Sequence, residues 1–175
     1  MTIFHLNLKF SPNHFLLSDI ISILKRILIS NLLKMIIKQL SIFLENKSGR
    51  LVEVLSALGE EKINIKALTI ADTSEFGILR MLVSRPEDAL TILKARNFSV
   101  TLTDVIAIAA PAEAQSFSKA LKILSDKGIS IEYMYAFSMG TKAAIIIRTE
   151  NIEKAINAIR ENNMELLNAK ELNEI

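Results

Sequence analysis

Laid over itself at an offset of 66 residues, the chain matches its own second half: Ile63-Asn64-Ile65 falls on Ile129-Ser130-Ile131, Leu55 on Leu121, Leu58 on Leu124, Ala89 on Ala155 and Asn97 on Asn163, without a gap. A repeat of this period means one structural unit built twice. A unit of about 65 to 70 residues would bury only ~60% of its unfolded surface alone, which is marginal. The copies are therefore expected to share a sheet or an interface. Function is to be sought in how they differ.

Within each copy the hydrophobic period switches in a fixed order. Leu40, Ile42 and Leu44 alternate with Gln39, Ser41 and Phe43, a strand with one mostly polar face. Leu51, Val54, Leu55 and Leu58 then recur at helical spacing, echoed by Phe117, Ala120, Leu121 and Leu124. Two strands follow, about 63–71 and 76–83, joined at Asp72-Thr73-Ser74-Glu75, with Gly140 at the matching turn of copy two. Ser84-x-x-Glu87 with Pro86 reads as a capping box opening a helix whose inner face is Ala89, Leu90 and Leu93. A strand near 98–103 runs almost directly into the first strand of copy two, near 105–109. The order is β-α-β-β-α-β, twice: an α+β, ferredoxin-like plan with antiparallel sheets and both helices on one face. The open face and the edge strands need cover, from the other copy or from a second chain.

Residues 1–34 lie outside the repeat, leaving one unit at 35–104 and another at 105–175. The extension holds both histidines (His5, His14) and a basic amphipathic run from Ile20 to Lys34. It lacks the charged start and small-residue cleavage site of a signal peptide, and its apolar runs are too short to span a bilayer. Two readings stay open. It is an upstream extension ahead of a start at Met35, or a helix lying on a membrane surface. Without it the charge changes from +2 to 17 basic against 18 acidic residues, so nothing in the repeat points to nucleic acid. Cysteine is absent, which excludes disulfides, a thiol nucleophile and a thiolate metal site. A cytoplasmic location is expected, with no cofactor and no metal.

The copies differ most between first strand and first helix. Copy one has Glu45-Asn46-Lys47-Ser48-Gly49-Arg50-Leu51 and copy two has Pro111-Ala112-Glu113-Ala114-Gln115-Ser116-Phe117. Gly49 permits close backbone approach, Ser48 or Asn46 can cap the helix, and free N–H groups of a first helical turn suit a carboxylate. An ordinary cap and turn would use the same residues. In copy two, Glu113 stands at the helix mouth and would repel a ligand carboxylate.

Asn-x-x-Gly-x-Leu after the first strand and Asn-Ile at the start of the second, within a β-α-β-β-α-β unit of this length, resemble the ACT domain, a regulatory module that senses amino acids. The resemblance covers 35 to about 175 as a tandem pair. Copy one is similar to the ACT domain of serine-inhibited phosphoglycerate dehydrogenases, in which asparagines at the positions of Asn46 and Asn64 contact the effector. It is equally similar to the small regulatory subunit of acetolactate synthase, over 41–51, 64–73 and 79–81. Leu44 replaces a histidine common in the dehydrogenase site and Ser48 replaces the usual proline, so serine is not implied as the ligand. Copy two has Ala112 for Asn46 and Ser130 for Asn64.

The resemblance implies units pairing side by side, with a small amino acid held between one unit's loop and its neighbour's strand. The binding residues implied are Asn46, Lys47, Ser48, Gly49, Arg50, Leu51, Asn64 and Ile65, with Ile131, Tyr133 and Met134 on the second strand of copy two as a second wall. Tyrosine, isoleucine and methionine on a strand also serve as plain packing. No P-loop, His-Glu-x-x-His or Gly-x-Ser-x-Gly pattern occurs, and the acidic pairs fall at helix ends where capping explains them. The expectation is a non-catalytic, homodimeric sensor of an amino acid. Two alternatives remain: a regulatory subunit of a separate biosynthetic enzyme such as acetolactate synthase, and an ACT pair acting by contact alone.

Overall fold

Alternation of buried and exposed side chains decides how the two copies meet. The computed structural model describes residues 17–72 and 76–174. The histidines and the turn at 73–75 lie outside the described residues. Among the described residues, 17–33 belong to one compact unit and those from 34 onward to another. In the first, helix α1 (Leu17–Leu33) exposes Ile20, Leu24, Ile27 and Leu28. No described helix is long and apolar enough to cross a membrane.

The second unit holds both repeats. Copy one contributes β1 (Ile37–Glu45), α2 (Arg50–Glu60), β2 (Ile65–Asp72), β3 (Phe76–Val83), α3 (Pro86–Ala95) and the first half of β4 (Ser99–Pro111). Copy two begins in the second half of β4 and continues with α4 (Ala114–Asp126), β5 (Tyr133–Met139), β6 (Lys142–Arg148), α5 (Ile152–Glu161), β7 (Glu165–Leu167) and the short α6 (Ala169–Asn173). All pairings are antiparallel, in the order β2-β3-β1-β4 for copy one and β5-β6-β4-β7 for copy two. The two strands expected near 98–103 and 105–109 are one. β4 pairs with β1 over residues 99–105 and with β6 over 106–111.

One face of the first sheet, through Leu40, Ile42, Leu79, Met81 and Val100, packs on Val54, Leu58, Ala89 and Leu93 of α2 and α3. The opposite face turns Ile37 and Leu82 into a core shared with Val105, Ala107, Ala144, Ile146 and Leu167, with Tyr135 and Phe137 packed against it. The period of two along each strand lets one sheet serve both cores. The two sheets thus meet open face to open face, with helices on the outside. The mostly polar face of β1 is covered, and Gln39 is fully buried.

Two local expectations are corrected. Ser84 does not cap α3: its N–H donates to the Asn64 carbonyl and its hydroxyl accepts from the Asn64 N–H, so it closes the end of the β2–β3 ladder, and Arg85 is the cap residue ahead of Pro86. Nor does Ser48 or Asn46 cap α2. Gly49 is the cap residue, at φ +90°, and no side-chain bond to the helix end is found among the described residues.

Candidate functional site

β1 delivers the chain to the loop of copy one in three backbone bonds. The Glu45 carbonyl accepts from the Lys47 N–H at 2.8 Å, Lys47 from Arg50 at 3.3 Å, and Gly49 from Glu53 at 2.9 Å. The left-handed backbone at Gly49 turns the chain sharply into α2, which a Cβ there would strain although it would meet nothing within 4 Å. Because no side chain caps the helix, the N–H groups of Leu51 and Val52 have no partner among the described residues. Such a helix end carries partial positive charge.

The loop borders an open depression of about 240 Å³ with apolar walls from Leu44, Leu51 and Ile70 and a rim of Glu45, Asn46, Lys47 and Arg50. Arg50 pairs with Glu53 and lies over the Phe98 ring at 4.7 Å, yet its Nε is buried without a partner. The Lys47 ammonium stands 2.6 Å from the Glu45 carboxylate. Its hydrogen bond and then its charge hold that carboxyl below the ordinary carboxylate pKa, so Glu45 is an anion at neutral pH. N–H donors and a guanidinium for a carboxylate, with carbonyl and carboxylate oxygens for an ammonium, match a zwitterion.

The remaining candidate residues lie elsewhere in the chain. Ile65 pairs with Val83 at the start of β2, whereas Glu45 pairs with Phe76, so Asn64 and Asn46 stand at opposite ends of the sheet, roughly 25 Å apart by strand rise. Ile131 precedes β5 and, with Met134, Ser130 and Leu121, lines a separate depression. Tyr133 turns between the sheets, where its hydroxyl accepts from Gln39 Nε2 at 2.7 Å. Within one chain, Ile131 and Met134 thus line a depression other than the one beside the loop. In copy two Glu113 is the cap residue of α4, with extended backbone and no side-chain cap.

Sequence reasoning passed over the polar cluster between the sheets. Gln39 Nε2 also approaches Ser41 Oγ at 3.3 Å, and the Tyr135 hydroxyl donates to Gln39 Oε1 at 2.9 Å. Burial and then the neighbouring Tyr133 push the Tyr135 pKa up, with Arg80 acting weakly against them. The repeat carries the signal that could have found this cluster. At the 66-residue offset Gln39 falls on Val105, Ser41 on Ala107 and Arg80 on Ile146, so copy one is polar where copy two is apolar.

Residues 35–175 match the family described as an ACT domain pair. A solved structure, protein BT0572 from Bacteroides thetaiotaomicron, is 46% identical over 81% of this chain and 98% of that one, with a TM-score of 0.77. The ligand-free regulatory subunit of aspartate kinase from Thermus thermophilus shares the fold at 17% identity, covering 72% of this chain and 92% of that one, with a TM-score of 0.55. No curated protein matches the chain.

Proposed function

The chain belongs to the ACT-domain-pair family, and on that premise we propose that it is a non-catalytic regulatory protein binding a small amino acid at the loop from Asn46 to Leu51. The observation that carries this reading is the buried Arg50 Nε, without a partner, together with Leu51 at the start of α2 and an anionic Glu45 on one apolar depression, where the Leu51 N–H has no partner among the described residues. The carboxylate takes the Leu51 and Val52 N–H groups and Arg50, the ammonium takes Glu45 and the Asn46 carbonyl, and the side chain lies against Leu44 and Ile70.

A second copy would complete the site. β2 is the edge of its sheet and exposes Ile65, Leu68 and Ile70. Antiparallel pairing of two such edges lays residues 64–65 of one copy near 70–72 of the other, beside the depression, and so returns Asn64 and Ile65 to a site they do not reach in their own chain. Ligand shared between two copies would favour the paired state by its differential affinity. Calorimetry against the twenty amino acids, run alongside light scattering, tests the reading. The expected result is one saturable ligand and a dimer; no binding by any amino acid refutes it and leaves an ACT pair acting by contact alone.

The likeness of copy one to the acetolactate synthase small subunit supports a second reading, in which this chain is the amino-acid-sensing subunit of a separate cytoplasmic biosynthetic enzyme. That a protein of the same fold is named a regulatory subunit agrees with it. Retention of one biosynthetic enzyme on the immobilised chain, altered by the ligand, is the expected result.

A further inference from the structure

Arg80 is a cation for which the fold gives no reason. It sits half-buried on the inner face of β3, opposite Ser41 of β1 and Thr69 of β2. Its guanidinium lies 3.9 Å from the centre of the Tyr133 ring. No carboxylate pairs with it among the described residues, and its Nε is buried with no hydrogen-bond partner. A desolvated N–H on a charged group disfavours folding, and a cation–π contact offsets only part of that cost. The other copy provides an internal control: the equivalent position is Ile146, fully buried in the shared core. An apolar residue therefore satisfies the equivalent position in the sheet of the other copy.

Beside Arg80 the inner face runs out from under the second sheet. Ile78 follows on β3 opposite Phe43, then Phe76 opposite Glu45. Phe43 and Phe76 stack with centroids 5.0 Å apart, yet they remain 48% and 40% exposed. Arg80 and Phe43 are diagonal neighbours on one sheet face, a spacing of ~7 Å that a long side chain spans. The Tyr133 hydroxyl accepts from Gln39, and its own proton has no acceptor among the described residues. The mouth between the sheets thus joins a guanidinium fork and a phenol O–H to an aromatic surface. Among the described residues Glu45 is the acidic group of that face, and it stands about 13 Å along the strand from the level of Arg80.

We propose that Arg80, Tyr133 and the Phe43–Phe76 pair form a second ligand site, for a small organic monocarboxylate bearing an aromatic or branched apolar group and no ammonium. The carboxylate lies across the guanidinium fork and accepts from Tyr133, while the apolar group covers the two phenylalanine rings. An amino acid is discriminated against because its ammonium, held next to the carboxylate on Arg80, would be desolvated with no carboxylate beside it among the described residues. The site is independent of the loop and stands or falls without it.

The protein has two tyrosines and no tryptophan, so its intrinsic emission comes from Tyr133, which touches Arg80, and from Tyr135, which shares the Gln39 amide with it. Titration of the full chain with 3-phenylpropionate is expected to change that emission saturably. Arg80→Gln should weaken the response at least about tenfold and Phe43→Ser severalfold, L-phenylalanine should compete about tenfold less well, and Lys122→Gln on the exposed face of α4 should leave it unchanged. Circular dichroism checks the fold of each variant, and should Arg80→Gln fail to fold, the surface change Phe43→Ser decides. No saturable response, equal affinity after the decisive substitution, or equal competition by L-phenylalanine overturns the proposal. So does emission that follows protein concentration alone, which would give this face to a second copy.

Discussion

Replacing Gln39 by leucine should destabilise the protein far more than a change at a nominally polar strand position would. The amide is fully buried and bonded to Tyr133, Tyr135 and Ser41. Leucine fills similar space but removes all three bonds and strands the Tyr135 O–H against apolar neighbours. Lost bonds count about 1 kcal/mol each and a stranded buried donor about 1–3 kcal/mol, offset by the gain from burying leucine; the net expectation is about 2–4 kcal/mol. For a domain of this size that lowers the melting temperature by roughly 5–15 °C, read by circular dichroism and by urea titration. Pairing the change with Tyr135→Phe gives a thermodynamic cycle. Once Gln39 is gone the hydroxyl has no partner, so removing it should restore at least about 1 kcal/mol relative to the sum of the single changes. A cost under about 0.5 kcal/mol for Gln39→Leu, or strict additivity, would refute the view that this cluster joins the sheets.

Tyr135→Phe should also alter the alkaline limb of stability. Above about pH 10 the unfolded tyrosine ionises while the folded one, its pKa raised by burial, keeps its proton; the native state then binds more protons and stability falls by up to about 1.4 kcal/mol per pH unit, a slope the phenylalanine variant should lack in urea midpoints taken from about pH 8 to 11. Gly49→Ala should cost about 1–2 kcal/mol of backbone strain and no clash, since a Cβ there meets only open space; a larger loss in thermal melts would mean that the loop is packed. A chain starting at Met35 should melt within about 0.5 kcal/mol of the full one, because helix α1 belongs to a unit separate from the one that holds both repeats; insolubility on truncation would contradict this.

The strand and helix order was readable because each element has its own period, and the second copy confirmed each reading in the first. What escaped was the meaning of polarity. Gln39 and Ser41 alternate with leucines as a solvent-facing edge would, and pattern alone does not distinguish water from a buried partner such as Tyr133. Ser84 misled for a related reason: its hydroxyl can serve a helix end or a sheet end, and only the position of Asn64 decides. The loop at Gly49 was located correctly, since a glycine between strand and helix marks a backbone that other residues adopt poorly. Its relation to Asn64 was not readable, because strand direction places the two at opposite ends of one sheet and a single chain does not show which neighbour closes the gap.

β4 runs through the boundary at 104–105 without a break, pairing with β1 over 99–105 and with β6 and β7 beyond it. The two copies are therefore tethered by a linker of zero length. Two free proteins meeting through one buried amide and a patch of small apolar side chains would first have to overcome the lost freedom of two bodies. A continuous strand removes that loss, so the local concentration of one face before the other is set by geometry and not by abundance. The contact between faces can then be weak, and its residues free to diverge into Gln39 and Arg80 on one side and Val105 and Ile146 on the other, without the copies separating. Expressed as two chains cut within β4, the same faces should not find each other at micromolar concentration.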